Sequence, residues 1–334
     1  MQKNKILLFS FYCLVGALIF ISCQKDNSIV EEQKIEEPVV ETPNIENIEE
    51  QAIIGVVVLK DIFMIIFQQS LLQPDLWGFV GEQSAVVRDV CPDTDGTTSS
   101  GTLGMGGTYD LLLDFAAGCM PAGTLPILME GTIEAAFTDV MFGAPDVPVT
   151  ISSGFKIGNY TITSSNNGDI DLLLSKQGSG NTYRFKSAVP ADNIIFTNCT
   201  TGDMTVYTGD SNFGNFRLSD GPVANDPTNP VTYIDDQIEI RVATVEVECI
   251  TAGGTSVGKF DLDVPGNRRL IVNPFECGCI TDGTMTITGQ GSAPSSTLDF
   301  GVDASGAQSG GACNGSVEVD DGTTTTVEPL QSCT

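Results

Sequence analysis

Two Asp-x-Asp phrases stand out among the residues able to do chemistry: Asp93-Thr-Asp95-Gly96 and Asp261-Leu-Asp263. Hard cations such as calcium take carboxylate oxygens of this kind from loops. Neither phrase runs on to the further acids and terminal Glu of a twelve-residue calcium loop. Calcium is therefore the one cofactor these acids suggest, with Asp93, Asp95, Asp261 and Asp263 as weak ligand candidates and solvated loop acids as the plainer reading. Carboxylates also cleave glycosidic bonds when two of them flank the scissile bond. Asp235-Asp236, Asp261/Asp263 and Asp320-Asp321 offer such pairs. Yet with 43 acids in 334 residues some close pairing is inevitable. Histidine is absent, which removes the commonest general base, the usual triads and most zinc or iron sites. The glycine-rich "GMGG" (104–107) and "GSGN" (178–181) lack the lysine and the strand–helix setting of a phosphate loop and read as turns. Trp77 reads as packed rather than displayed. No catalytic residue is named.

Ten cysteines occur. Cys13 and Cys23 lie near the N-terminus, leaving Cys91, Cys119, Cys199, Cys249, Cys277, Cys279, Cys313 and Cys333. An even set in an exported chain favours disulfides. Cys277-Gly-Cys279 is not the C-x-x-C of a redox or zinc site. Several cysteines open similar phrases, "CTTGDMTVYTG" at Cys199 and "CITDGTMTITG" at Cys279 among them. Leu113-Asp114-Phe115 precedes Cys119 as Leu298-Asp299-Phe300 precedes Cys313. A degenerate duplication with Cys91–Cys119 and Cys279–Cys313 bridges would explain this, as would chance in a Thr/Gly/Asp-rich chain.

The N-terminus is the most specific stretch. Lys3 and Lys5 precede a sixteen-residue, almost wholly apolar run, Ile6–Ile21, which Ser22-Cys23 closes. A basic start, a short apolar core and a small residue before the cut make a secretory signal. With the cysteine at its exit, the segment resembles a bacterial lipoprotein signal. The resemblance implies cleavage before Cys23 and a thiol carrying diacylglycerol, so that the membrane is a partner through this lipid. Gln24-Lys25-Asp26-Asn27 resembles the Lys-acidic signal that exports lipoproteins to the outer face of the outer membrane. That implies an outer-membrane protein at the cell surface, with periplasm-facing attachment as the alternative. Residues 24–50 then carry nine acids against Lys25 and Lys34, broken by Pro38 and Pro43. Self-repulsion makes such a segment an extended, disordered tether, reaching on the order of 80–90 Å.

Stepping along the chain, Ala52–Phe67 is the most hydrophobic internal stretch. Lys60 and Asp61 at its centre argue against a membrane span. Glu50, Asp61 and Gln68, spaced 11 and 7 residues apart, share one side of a helix. The expectation is a buried helix over 51–74 with one narrow wet face, ending near Pro74. From about residue 84, short alternating runs such as "YDLLLDF", "YTITSS", "DIDLLLS", "QIEIRVATVEVEC" and "TMTITG" are punctuated by Asn-Gly and Asp-Gly turns at 167–168, 220–221, 282–283 and 321–322. The fold class expected is all-β: an antiparallel, sandwich-like, disulfide-stapled body behind one helix and an acidic tether. The segments are 1–22 signal, 23–50 lipidated cysteine and tether, 51–74 helix, and β-regions 75–198 and 199–334 that can form one domain. The net charge of -28 argues against nucleic acid, which needs clustered Lys and Arg. The function expected is a non-enzymatic binding or structural body for an unidentified extracellular or envelope ligand; a polysaccharide hydrolase is the alternative.

Overall fold

An apolar helix twenty-odd residues long sits at the centre of the molecule. It is α1 (Ile48–Leu71, 24 residues). The computed structural model describes residues 47–71, 93–100, 108–116, 118, 127–138, 146–177, 182–189, 192–208, 212–218, 238–242, 244–272, 279–303, 305–307 and 316–329. All of them belong to one compact unit, Pro43–Thr334. The signal and most of the tether, residues 1–46, lie outside the described residues, as do Pro74, Trp77, Asp235-Asp236 and both glycine-rich phrases.

α1 forms despite its Ile/Val content because its start is well specified. The Glu50 N–H donates to the Asn47 Oδ1 at 3.0 Å, an N-cap, and Glu49 and Glu50 occupy the first turn. From Ala52 to Ile66 only Val57 is less than fully buried. A helix apolar all round must be covered on every side, and the strands do this.

Twenty strands are seen among the described residues, and every pairing is antiparallel. β1 (Asp93–Ser100) and β2 (Thr108–Asp114) open one sheet, and β3 (Met129–Glu130) begins a second. β4 (Thr132–Thr138) and β5 (Val147–Ile151) return to the first; β6 (Phe155–Ile157) and β7 (Tyr160–Ser164) form a hairpin in the second. The alternation repeats hairpin by hairpin. β8 (Ile170–Gln177) with β9 (Thr182–Ser187) lies in the first sheet, and β10 (Ile194–Asn198) with β11 (Met204–Tyr207) in the second. β12 (Asn212–Leu218) with β13 (Ile238–Arg241) follows in the first, and β14 (Val245–Ile250) with β15 (Ser256–Asp263) in the second. β16 (Leu270–Val272) pairs with the start of β17 (Ile280–Gly289), whose later half pairs with β15, so β17 belongs to both sheets. β18 (Ser296–Phe300), β19 (Ser316–Asp320) and β20 (Thr325–Pro329) extend the second sheet.

The arrangement amounts to one long meander creased across its strands, with short links such as 152–154 and 165–169 carrying the chain from sheet to sheet. The all-β expectation holds, and no break falls at residues 198–199, since β10 and β11 pair directly. α1 packs against β11, β14 and β15 of one sheet and β12 of the other. Phe63 meets Phe185 of β9 edge-on at 6.2 Å.

Two sequence expectations fail at the crease. "QIEIRVATVEVEC" reads as a single alternating run, yet it is β13 and β14 in different sheets. The break comes at Thr244, whose φ is 38°, while the Val242 carbonyl accepts the Val264 N–H at 2.9 Å. Asp282-Gly283, read as a turn, lies inside β17. Gly283 has φ 113° and sits against the Arg269 carbonyl, where a Cβ would collide. Asp321-Gly322 is a turn as expected, between β19 and β20. The two Leu-Asp-Phe phrases are alike in structure. Both bury Leu and Phe at a strand end and pass into a positive-φ residue, Ala116 or Gly301.

Helix and sheet approach closely at Gly55, where a methyl group would overlap the Tyr207 ring; the Tyr207 hydroxyl donates to the Ala52 carbonyl at 2.7 Å. Gly55→Ala is expected to destabilise the protein by about 1–3 kcal/mol through overpacking, read as a lower urea midpoint at unchanged m-value.

Candidate functional site

Polar chemistry gathers at two depths along α1. The deeper place is Lys60 and Asp61, each 2% exposed. The Lys60 Nζ lies 2.8 Å from the Asp61 Oδ1, a buried ion pair. This corrects the wet-face expectation. Glu50 and Asp61 do share a side of the helix, but eleven residues at about 1.5 Å each carry Asp61 some 16 Å inward from the helix start. The side chain of Gln68 lies outside the described residues.

Burial pushes the Asp61 carboxyl up, and the Lys60 charge opposes that shift. A carboxyl raised in the folded state contributes stability that is full below its unfolded value, about 3.9, and lost as pH rises through the folded value. Breaking a buried pair leaves an uncompensated charge. Lys60→Met is expected to cost about 3–5 kcal/mol near neutral pH. The cost should shrink as pH falls and Asp61 takes up its proton, which urea melts at several pH values will show.

The shallower place is a cleft of about 340 Å³ at the start of α1, lined by Asn47, Glu50, Gln51, Tyr160, Asn198, Thr201 and Asp203. Three elements build it. α1 supplies Asn47, Glu50 and Gln51; β7 supplies Tyr160; the β10–β11 turn supplies the rest. That turn is held by Asn198, whose Oδ1 accepts the Thr200 and Thr201 N–H groups at 2.8 and 3.1 Å, and by Gly202 at φ 79°. The Asp203 Oδ1 accepts the Ala252 N–H at 2.9 Å. The Tyr160 hydroxyl donates to the Glu50 Oε1 over a long 3.4 Å. Burial raises the Glu50 carboxyl; the Tyr160 hydrogen bond opposes this and nearby Glu328 reinforces it. Burial, then the Glu50 charge, pushes the Tyr160 phenol up.

Gln51 is 6% exposed, and its Nε2 donates to the Met204 carbonyl at 2.7 Å. Its Oε1 is buried and accepts no hydrogen bond. An acceptor left in that state costs about 1–3 kcal/mol. Among the described residues no Lys or Arg lines the cleft.

The residues singled out by sequence lie elsewhere. Asp93 and Asp95, expected as loop ligands, are in β1 opposite Asp114 and Leu112 of β2. Asp261 and Asp263 are in β15, in the other sheet, on half-exposed alternate positions, and the Asp261 Oδ1 accepts from the Gln290 Nε2 at 3.1 Å. Strand pairing fixes their backbone, so neither phrase can wrap an ion as a loop would. Asp321 is spent on its turn, accepting the Thr323 hydroxyl and the Thr323 and Thr324 N–H groups, which hold its carboxyl well below the usual range. Among the described residues no group of three or more His, Cys, Asp or Glu gathers as a metal would need.

Two of the cysteines expected to bridge do not. Cys199 is an exposed thiol in the β10–β11 turn, its Sγ 3.1 Å from the Thr161 Oγ1. Cys249 is a buried thiol on β14 facing inward, opposite Thr205. The two occupy opposite environments, one on the surface and one beneath α1, so neither finds the other. Burial, with Glu248 and Glu49 reinforcing, pushes the Cys249 thiol up to about 12 against the Thr205 hydrogen bond. Cys279 is disulfide-bonded, and its partner lies outside the described residues together with Cys91, Cys119, Cys277, Cys313 and Cys333. A thiol reagent at neutral pH is expected to label Cys199 in the native protein and Cys249 only after unfolding; peptide mapping distinguishes them.

Sequence reasoning missed most of the cleft. Asn47 before two acids and an apolar run is a readable N-cap, but nothing in the sequence brings Tyr160 and Asp203 to it. No known protein family, curated protein or solved structure matches the chain. No helix among the described residues is long and apolar enough to cross a membrane.

Proposed function

We propose that this is a lipid-anchored envelope protein, displayed at the outer-membrane surface, whose β-body binds or scaffolds rather than catalyses. The observation that carries the reading is Cys23, placed where the apolar run Ile6–Ile21 ends and the acidic tether begins. Three features support it. The apolar run is short for a membrane span and has the layout of a cleaved signal. The body's interior is filled by α1, the first element after the tether, so the lipid-bearing segment leads directly into the core. Of the acids paired by sequence, Asp261 accepts from the Gln290 amide and Asp321 is taken up by its turn, which favours a binding or structural body over a carboxylate-pair hydrolase.

Disulfides complete the reading. With Cys199 and Cys249 free, the six cysteines Cys91, Cys119, Cys277, Cys279, Cys313 and Cys333 remain an even set, and we propose Cys279–Cys313 and Cys91–Cys119 as two of its pairings, on the repeated phrases of the sequence and the bonded state of Cys279. Bridges of this kind suit an oxidising envelope.

Mass spectrometry of the mature protein is expected to find an N-terminus at Cys23 carrying lipid. Cys23→Ser is expected to leave the precursor unprocessed and the protein without its lipid. An unmodified N-terminus elsewhere in the chain overturns the anchor.

A further inference from the structure

We propose that the acidic segment ahead of α1, Glu31–Glu37, docks on a row of arginines on the outward face of the first sheet. The inference goes beyond the anchored-protein reading and stands whether or not Cys23 carries lipid.

The row follows from strand register. Phe185, Ile240 and Leu270 are fully buried on the inner face, so their chain neighbours Arg184, Arg241 and Arg269 stand on the outward one. Arg184 and Arg241 lie on either side of Asn215 of β12. Arg269 lies one step past the Ile240–Leu270 pair, across from Arg241. Three strand spacings of about 4.8 Å put the ends of the row about 14 Å apart. Lys186 shares this face on β9, two residues from Arg184. Like charges on neighbouring strands repel. Glu239 pairs with Arg269 and Asp146 with Lys186. The partly exposed Arg241 side chain has neither an ion pair nor a hydrogen bond. The row thus keeps positive charge in a protein whose net charge is -28.

Charge and length select the chain's own N-terminal segment as the occupant. Glu31, Glu32, Glu36 and Glu37 surround a single base, Lys34, and lie ten to sixteen residues before Asn47. Extended, that length reaches roughly 33–53 Å. Phe63, sixteen residues along α1 from Asn47, meets Phe185 of β9. The row therefore lies about 24 Å down the helix axis and one sheet thickness, about 10 Å, to the side. The acids reach it without stretching fully. The second sheet repels them: its outward face carries Glu246, Glu248, Asp261 and Asp263, and Lys259 there already lies 3.7 Å from Glu246 and 4.0 Å from Glu248. Covalent continuity gives the segment an effective concentration in the millimolar range, so individually weak ion pairs suffice to hold it.

The test is zero-length carbodiimide cross-linking of the dilute full-length protein in detergent, with links read by mass spectrometry of the monomer. Glu31, Glu32, Glu36 and Glu37 are expected to join Lys186 several-fold more often than Lys156 or Lys259, whose side chains are comparably exposed. The preference is expected to vanish in about 1 M salt, where the screening length is about 3 Å, and in a folded Arg184→Gln/Arg241→Gln variant. Comparing the three lysines in the unaltered protein needs no variant, so a variant that thermal melts show to be unfolded leaves the test in force. Links spread evenly over the three lysines, links confined to a cross-linked dimer, or a preference that survives salt or the folded variant overturns the proposal.

Discussion

The fold depends on the requirement that α1 be covered on all sides. A helix of Ile, Val, Leu and Phe whose few polar side chains make only a narrow stripe cannot lie on a sheet, because a sheet shields one side only. The creased meander meets that requirement. Each hairpin alternates between two sheets, so both close on the helix together, and β17 ties them through shared pairing. The fit is tight enough that Gly55 leaves no room for a methyl group beneath Tyr207.

The same enclosure sets the chemistry at each end of the polar stripe. Where the helix begins, Glu50 meets solvent through the cleft and is half-buried. Three turns deeper, Asp61 has the same angular position and no access to water, and its charge is tolerable beside Lys60. Depth along the helix, rather than the side of the helix, separates a residue able to meet a ligand from one that only shapes the core.

Much of this was legible in the sequence. The alternation in "YTITSS", "DIDLLLS" and "TMTITG" identifies strands because the sheets bury one face only, and the acidic start followed by an apolar run identifies the helix. What was not legible depends on tertiary closure. β13 and β14 read as one strand because the crease between them is made by backbone at Thr244, with no Gly or Pro to announce it. The polar strand β1, "DTDGTTSS", reads as a loop because its strand conformation comes from pairing with β2 rather than from its own propensity. The cleft joins residues more than 150 positions apart, a proximity that no local spacing encodes. Cysteine counting placed Cys199 and Cys249 in the bridged set because a count does not separate a bonded cysteine from a buried thiol such as Cys249, which serves as a small apolar side chain.

The position of α1 at the head of the folded unit also governs the order of assembly. Synthesis completes the most apolar segment of the body first, while strands that pack on it extend to β15, which ends at Asp263, and the Ser296 hydroxyl of β18 reaches Glu49 later still. Until then its whole circumference faces the surroundings, and contacts so distant in sequence form slowly. An emerging chain of this design keeps apolar surface exposed for long, and the like charges of its acidic N-terminal segment oppose association of neighbouring unfinished chains.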